Sequence, residues 1–264
     1  MKSLAAPCLG LLCLMQAQAQ APVQRFPFAN VGGQPIQAHY VRLEGGSPNV
    51  NRPTLLLNQR LCAELGLRAD PLPPEGTLLT RTTVERYYTP THLIDYRFTA
   101  RLGYNAACAL EWSPTSLAEL KVHSPRGVCT LDLRRREAFG VCGDSRGPVL
   151  PEPALRVNYE HLGVDGELGC ENKLVDIHGI LVQRCVEARP ASEMWRSYLY
   201  IGGPSMRGLL LAERSTDVSS NEVMDEVRAV EVRRNITVGS DILDLARTQG
   251  FSITSPGGRD RGTR

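Results

Sequence analysis

Gly127-Val128-Cys129-Thr130-Leu131-Asp132-Leu133-Arg134-Arg135-Arg136-Glu137-Ala138-Phe139-Gly140-Val141-Cys142 is the stretch on which the fold turns. Two runs of β-branched and apolar residues flank an arginine-rich centre, which is the pattern of two strands and a solvated tip. Centring the tip between Arg135 and Arg136 sets Cys129 opposite Cys142. Directly opposed residues of an antiparallel pair have Cβ atoms about 4.5–5.5 Å apart, and a disulfide needs about 3.5–4.5 Å. The spacing therefore predicts a hairpin closed by a Cys129–Cys142 bridge. The same symmetry recurs downstream. Cys170 to Val175, a turn at Asp176-Ile177-His178-Gly179, and Ile180 to Cys185 set Cys170 against Cys185. Cys62 and Cys108 then pair by elimination, with Cys108–Cys129 as the rival arrangement.

Bridges of this kind need an oxidising compartment, and the N-terminus supplies the route to one. Residues 1–19 have the parts of a signal peptide: Lys2, an apolar run from Leu4 to Met15, and the A-x-A signal Ala17-Gln18-Ala19. The expected mature start is Gln20; a second A-x-A, Ala19-Gln20-Ala21, would make it Pro22. The run is about 12 residues long, whereas a membrane anchor needs about 20. Leu12 before Cys13 and Pro7 before Cys8 are wrong for a lipidation site. Cleavage removes Cys8 and Cys13 and leaves the six cysteines of the three bridges. No later run is long and apolar enough to span a membrane. Only three of the 30 Lys and Arg are lysines (Lys2, Lys121, Lys173), which reads as the coding bias of a GC-rich bacterium and a periplasmic or extracellular address. The formal charge of +2 falls by one with Lys2, leaving no electrostatic footprint for nucleic acid.

Outward from the hairpins the pattern stays mainly β with a few short helices, a β-rich α+β chain braced by disulfides. Strands are predicted at Ile36 to Leu43, Leu79 to Tyr88, Ile94 to Leu102, Ala109 to Trp112, Leu120 to Val122 and Val128 to Leu133. Others follow at Leu155 to Tyr159, Leu174 to Ile177, Ile180 to Val186, Trp195 to Ile201, Gly208 to Ala212 and around Val230 to Val238. Asn58 is expected to cap a helix through Leu65, with Gly66 as its stop. Ser219-x-x-Glu222 has the capping-box pattern for a helix over Val223 to Arg228. Ser240 is expected to cap a helix from Asp241 to Gln249. Pro148, Pro151 and Pro153 suggest a linker over 148–153 between two small lobes, 20–147 and 154–254, with one elongated domain as the alternative, and a tail over 255–264 is expected to be disordered.

The sharpest chemical string is Cys142-Gly143-Asp144-Ser145-Arg146-Gly147-Pro148-Val149. It resembles the nucleophile segment of chymotrypsin-type serine proteases, G-D-S-G-G-P. That resemblance implies Ser145 as nucleophile and, in the family's chain order, His39 and Asp95 as its partners. Arg146 stands where the family has Gly, and His39 lacks the family's Ala-Ala-His-Cys setting. The plainer reading is a turn leading into the linker. Thr237 to Gly250 faintly resembles the first half of a LysM glycan-binding module, without the second helix and strand; the plainer reading is an ordinary capped strand–helix unit. No Cys or His pairs have zinc-site spacing, and no nucleotide-binding glycine pattern occurs, so neither metal nor cofactor is expected. The expected function is a non-enzymatic binding or structural module of the cell envelope with an envelope or protein partner. The alternative is a secreted serine hydrolase using Ser145.

Overall fold

The computed structural model describes residues 24–28, 30–114, 118–124, 126–142, 168–187, 195–202 and 208–254. The strand predicted at Leu155 to Tyr159, the Pro-rich stretch, Ser145 and the tail lie outside these residues. In chain order the elements are β1 (Pro35–Gly46), α1 (Arg52–Glu64), β2 (Thr80–Tyr88), β3 (Leu93–Tyr104), β4 (Leu110–Pro114), β5 (Glu119–Ser124), β6 (Gly127–Asp132) and β7 (Glu137–Gly140). Then come β8 (Leu168–Ile177), β9 (Ile180–Glu187), β10 (Trp195–Gly202), β11 (Leu210–Asp217), β12 (Val223–Gly239), a 3-10 turn (Ser240–Asp244), α2 (Leu245–Thr248) and β13 (Ser252–Thr254). The described strands form one 13-stranded sheet in the order β13-β7-β6-β5-β3-β2-β1-β12-β11-β10-β9-β8, with β4 on β3. Neighbours run antiparallel except β13, which lies parallel to β7 and makes the sheet mixed.

Side chains alternate across a strand, and in the middle of this sheet both faces are buried. On one face Tyr87 of β2 joins Ile94, Tyr96 and Phe98 of β3, Leu120 and Leu131, covered by Phe26, Ile242, Leu245 and Phe251. On the other, Val84 and Tyr88 join Val41 and Leu43 of β1, Leu209 and Leu211, and Ile177 and Ile180 from the β8–β9 turn. The second cluster requires the sheet to curl. β3 and β11 are four steps apart, about 19 Å in a flat sheet, yet Arg97 Nη2 lies 2.5 Å from Glu213 Oε2.

Three disulfides staple the sheet: Cys62–Cys108, Cys129–Cys142 and Cys170–Cys185. The registers beneath two of them differ from the predicted ones. In the first hairpin Cys129 faces Gly140, not Cys142, because the tip is centred one residue earlier, with Asp132 opposite Glu137. Cys142 reaches back past the end of β7, where Val141 N–H donates to Val128 O. In the second, the turn is the two-residue His178-Gly179, with φ of 54° and 70°, the left-handed pair that a tight primed hairpin turn needs. That shift alone would misalign the cysteines. Two extra residues bulge from β8 between Cys170 and Leu174 and restore the Cys170↔Cys185 pair.

The helices need three corrections. α1 begins at Arg52, ahead of the predicted Asn58 start: Pro53 sits in its first turn, where the missing N–H costs nothing. Its end agrees with the sequence, since Gly66 (φ +72°) follows and Leu67 N–H donates to Cys62 O. Val223 to Arg228 is not helical but the start of β12. Asp217 Oδ1 takes the Ser219 and Ser220 N–H groups in the β11–β12 turn, and both edges of β12 are filled by β1 and β11. The predicted Asp241 to Gln249 helix is split into the 3-10 turn and α2, ending at Gly250 (φ +66°).

Candidate functional site

Arg86 of β2 has no exposed side-chain surface. Its Nε donates to Asp95 Oδ1 at 2.8 Å and its Nη2 to Glu213 Oε1 at 2.6 Å. Arg97 donates to the other oxygen of Glu213. Strand pairing places Arg86 directly against Asp95, but Glu213 arrives only because the sheet curls. Burial alone would raise the Glu213 carboxyl; the Arg97 and Arg86 guanidinium groups outweigh it and hold it at about 2. Nearby Asp225 is pushed up by its burial. A carboxylate held between two guanidinium groups has no proton to give and is a poor base. This lattice ties β2 and β3 to β11 across the curled sheet.

The residues singled out by the protease-like string are not gathered by the described structure. Asp95 is engaged by Arg86. His39 of β1 accepts from Asn235 N–H at its Nδ1, and burial followed by the charge of Arg234 lowers its pKa. Ser145 lies outside the described residues. Among those residues no three His, Cys, Asp or Glu side chains are placed to hold a metal ion. A cavity of about 10 Å³ lined by His92, Ser124 and Asp244 has room for one water and nothing larger.

On the opposite face from the lattice, three adjacent strands build a second polar centre. Tyr40 of β1, Glu85 and Tyr87 of β2, and Tyr96 of β3 lie side by side, since Tyr40 pairs with Tyr87 and Glu85 with Tyr96. Glu85 is buried. Its Oε2 accepts the Tyr40 hydroxyl at 2.7 Å, and its Oε1 accepts Phe26 N–H at 3.1 Å, with the Arg25 guanidinium 3.6 Å away. The Phe26 ring packs 5.1 Å from Tyr87 and 6.0 Å from Tyr96. Burial, then the charge of Glu85, pushes the Tyr87 hydroxyl up to about 12. The Tyr96 hydroxyl is buried without a hydrogen-bond partner among the described residues. Beside Phe26 and Phe28 an open cleft of about 330 Å³ runs to Gln249.

A third feature is apolar. α1 buries Leu55 and Cys62 against the sheet but leaves Leu57 and Leu61 exposed, as is Leu65, which caps its C-terminus. At spacings of four residues these three share one helix face.

Sequence reasoning missed all three features. Arg86 and Glu85 had a local signal, two adjacent charges inside a Thr-, Val- and Tyr-rich strand. Glu213 and Phe26 had none, because each meets its partner across more than 50 residues of chain.

No family model matches this chain, and no curated protein matches it. Among solved structures, it is similar to a "putative outer membrane lipoprotein-sorting protein domain" from Vibrio parahaemolyticus at 9% identity, covering 80% of this chain and 91% of that one, with a TM-score of 0.23. Agreement of that size carries neither fold nor function. Three disulfides suggest an extracytoplasmic location, since such bridges persist in oxidising compartments. No helix among the described residues is long and apolar enough to cross a membrane.

Proposed function

We propose that this chain is an exported, non-enzymatic binding module of the bacterial cell envelope, active in the periplasm or outside the cell. The observation that carries the reading is the exposed leucine face of α1. Leu57 and Leu61, with Leu65 at the C-cap, stand in water on a helix that Cys62–Cys108 pins to the sheet. A contiguous exposed apolar face is the mark of an interaction surface, and the pinned helix presents it without a folding cost on binding. The buried Arg86–Asp95–Glu213–Arg97 cluster is taken up in tying β2 and β3 to β11, which agrees with a scaffold role.

Two measurements test this. A photo-crosslinking residue at Leu57 of the exported full chain is expected to form a discrete adduct that disappears in the Leu61→Glu variant. No adduct from Leu57, or one indifferent to Leu61→Glu, overturns the surface. A fluorophosphonate probe on the oxidised chain is expected to leave it unlabelled. Labelling that vanishes in Ser145→Ala would instead establish the serine hydrolase and end the non-enzymatic reading.

A further inference from the structure

We infer that the Tyr40–Glu85–Tyr87–Tyr96 slot is a peptide-recognition site that the chain's own N-terminal arm occupies as a placeholder, and that its ligand is a protein segment presenting a basic residue followed directly by an aromatic one. The inference rests on the binding-module reading and names a second recognition site for it.

The arm's contacts define what the slot recognises. Arg25 brings a cation to Glu85, the Phe26 N–H completes the carboxylate, and the Phe26 ring fills the space between Tyr87 and Tyr96. A buried carboxylate is costly unless it is paired and hydrogen-bonded. With the arm lifted, Glu85 would keep only the Tyr40 hydroxyl. The slot therefore demands an N–H donor and a cation next to an aromatic ring, whichever chain supplies them.

Three observations make the arm a replaceable occupant. Residues 24–28 pair with no strand, so no ladder of main-chain bonds fastens them to the sheet. Arg25 remains half exposed, a weak pair for so buried a carboxylate. The arm also leaves the slot incomplete: the Tyr96 hydroxyl has no hydrogen-bond partner among the described residues. A segment that offers an acceptor to Tyr96 as well would outdo the arm at its own position.

The test uses the full chain and a fluorescent peptide carrying residues 20–30. The Arg25→Ala/Phe26→Ala chain, with its own anchors removed, is expected to bind the peptide at least ~100-fold more tightly than the wild type, whose tethered arm competes at millimolar effective concentration. Adding Glu85→Gln to that chain should weaken binding about 10-fold or more, the worth of one charge-assisted pair. A peptide with Phe26→Ala should fail to bind. A second measurement needs no variant. Hydrogen exchange at the Phe26 amide of the wild type should speed up with millimolar peptide and ignore the Phe26→Ala peptide. A folded vacated chain that does not bind, binding indifferent to Glu85, or an unresponsive Phe26 amide overturns the inference. Fluorophosphonate labelling at Ser145 would end the non-enzymatic reading while leaving the peptide result standing, so the two failures are distinct.

Discussion

Arg86 keeps its charge inside the protein only because Asp95 and Glu213 meet it there. Taking a guanidinium out of water costs several kcal/mol, and truncating one member of a buried pair leaves the other uncompensated. Arg86→Ala is therefore expected to destabilise the fold by about 3–5 kcal/mol, read as a lower urea midpoint. Arg86→Met paired with hydrophobic replacements of Asp95 and Glu213 should recover most of that loss, since an apolar trio removes the charges together. Glu213 adds a pH signature. Its folded pKa of about 2 lies below its ordinary 4.5, so the unfolded chain binds its proton first. Its stabilising contribution is complete above the ordinary value and is lost as pH falls through the folded one. The urea midpoints of wild type and Glu213→Gln should differ at about pH 6 and draw together towards about pH 2.

At the scale of elements, the β8–β9 hairpin shows two departures that cancel. A turn at His178-Gly179 moves the register, and a two-residue bulge before Leu174 moves it back, so Cys170 and Cys185 still face each other. The bridge closes a separation of 15 residues, and a disulfide around such a loop contributes about 3 kcal/mol by the chain-entropy account. Cys170→Ser/Cys185→Ser should lower the stability by that order and leave the other two bridges intact in non-reducing peptide maps. Gly179→Ala, at φ +70°, should cost a further ~1–2 kcal/mol, because an L side chain is strained there whatever the space around it.

For the whole molecule, the decisive pairing is β1 with β12, which runs from Pro35↔Gly239 to Gly46↔Glu226. It joins residues on both sides of the Pro-rich stretch 148–153. No disulfide does so: two bridges precede that stretch and one follows it. A chain nicked by protease within 148–153 is therefore expected to remain one species in gel filtration and to part into two pieces in urea without reductant. Separation in plain buffer would show that the β1–β12 ladder and the curl lattice do not hold the halves together. The two-lobe organisation read from the prolines is a proposal that the same experiment addresses.

The hairpin strings around Cys129 and Cys170 were enough to specify a mainly β chain with disulfides, because period-two patterning and turn chemistry act over a few residues. The stop of α1 at Gly66 is legible for the same reason. Its start is not, since Pro53 reads as a break as easily as a first-turn residue. The capping-box pattern at Ser219 misleads because it is a local preference, and two strand partners from elsewhere outbid it. What no local pattern contains is curvature. Only the curl of the sheet brings Glu213 to Arg86 and Arg97, and only the return of the arm brings Phe26 to Glu85. The cysteine hairpins needed nothing from the rest of the chain, whereas the buried charges have meaning only beside residues the sequence places far away.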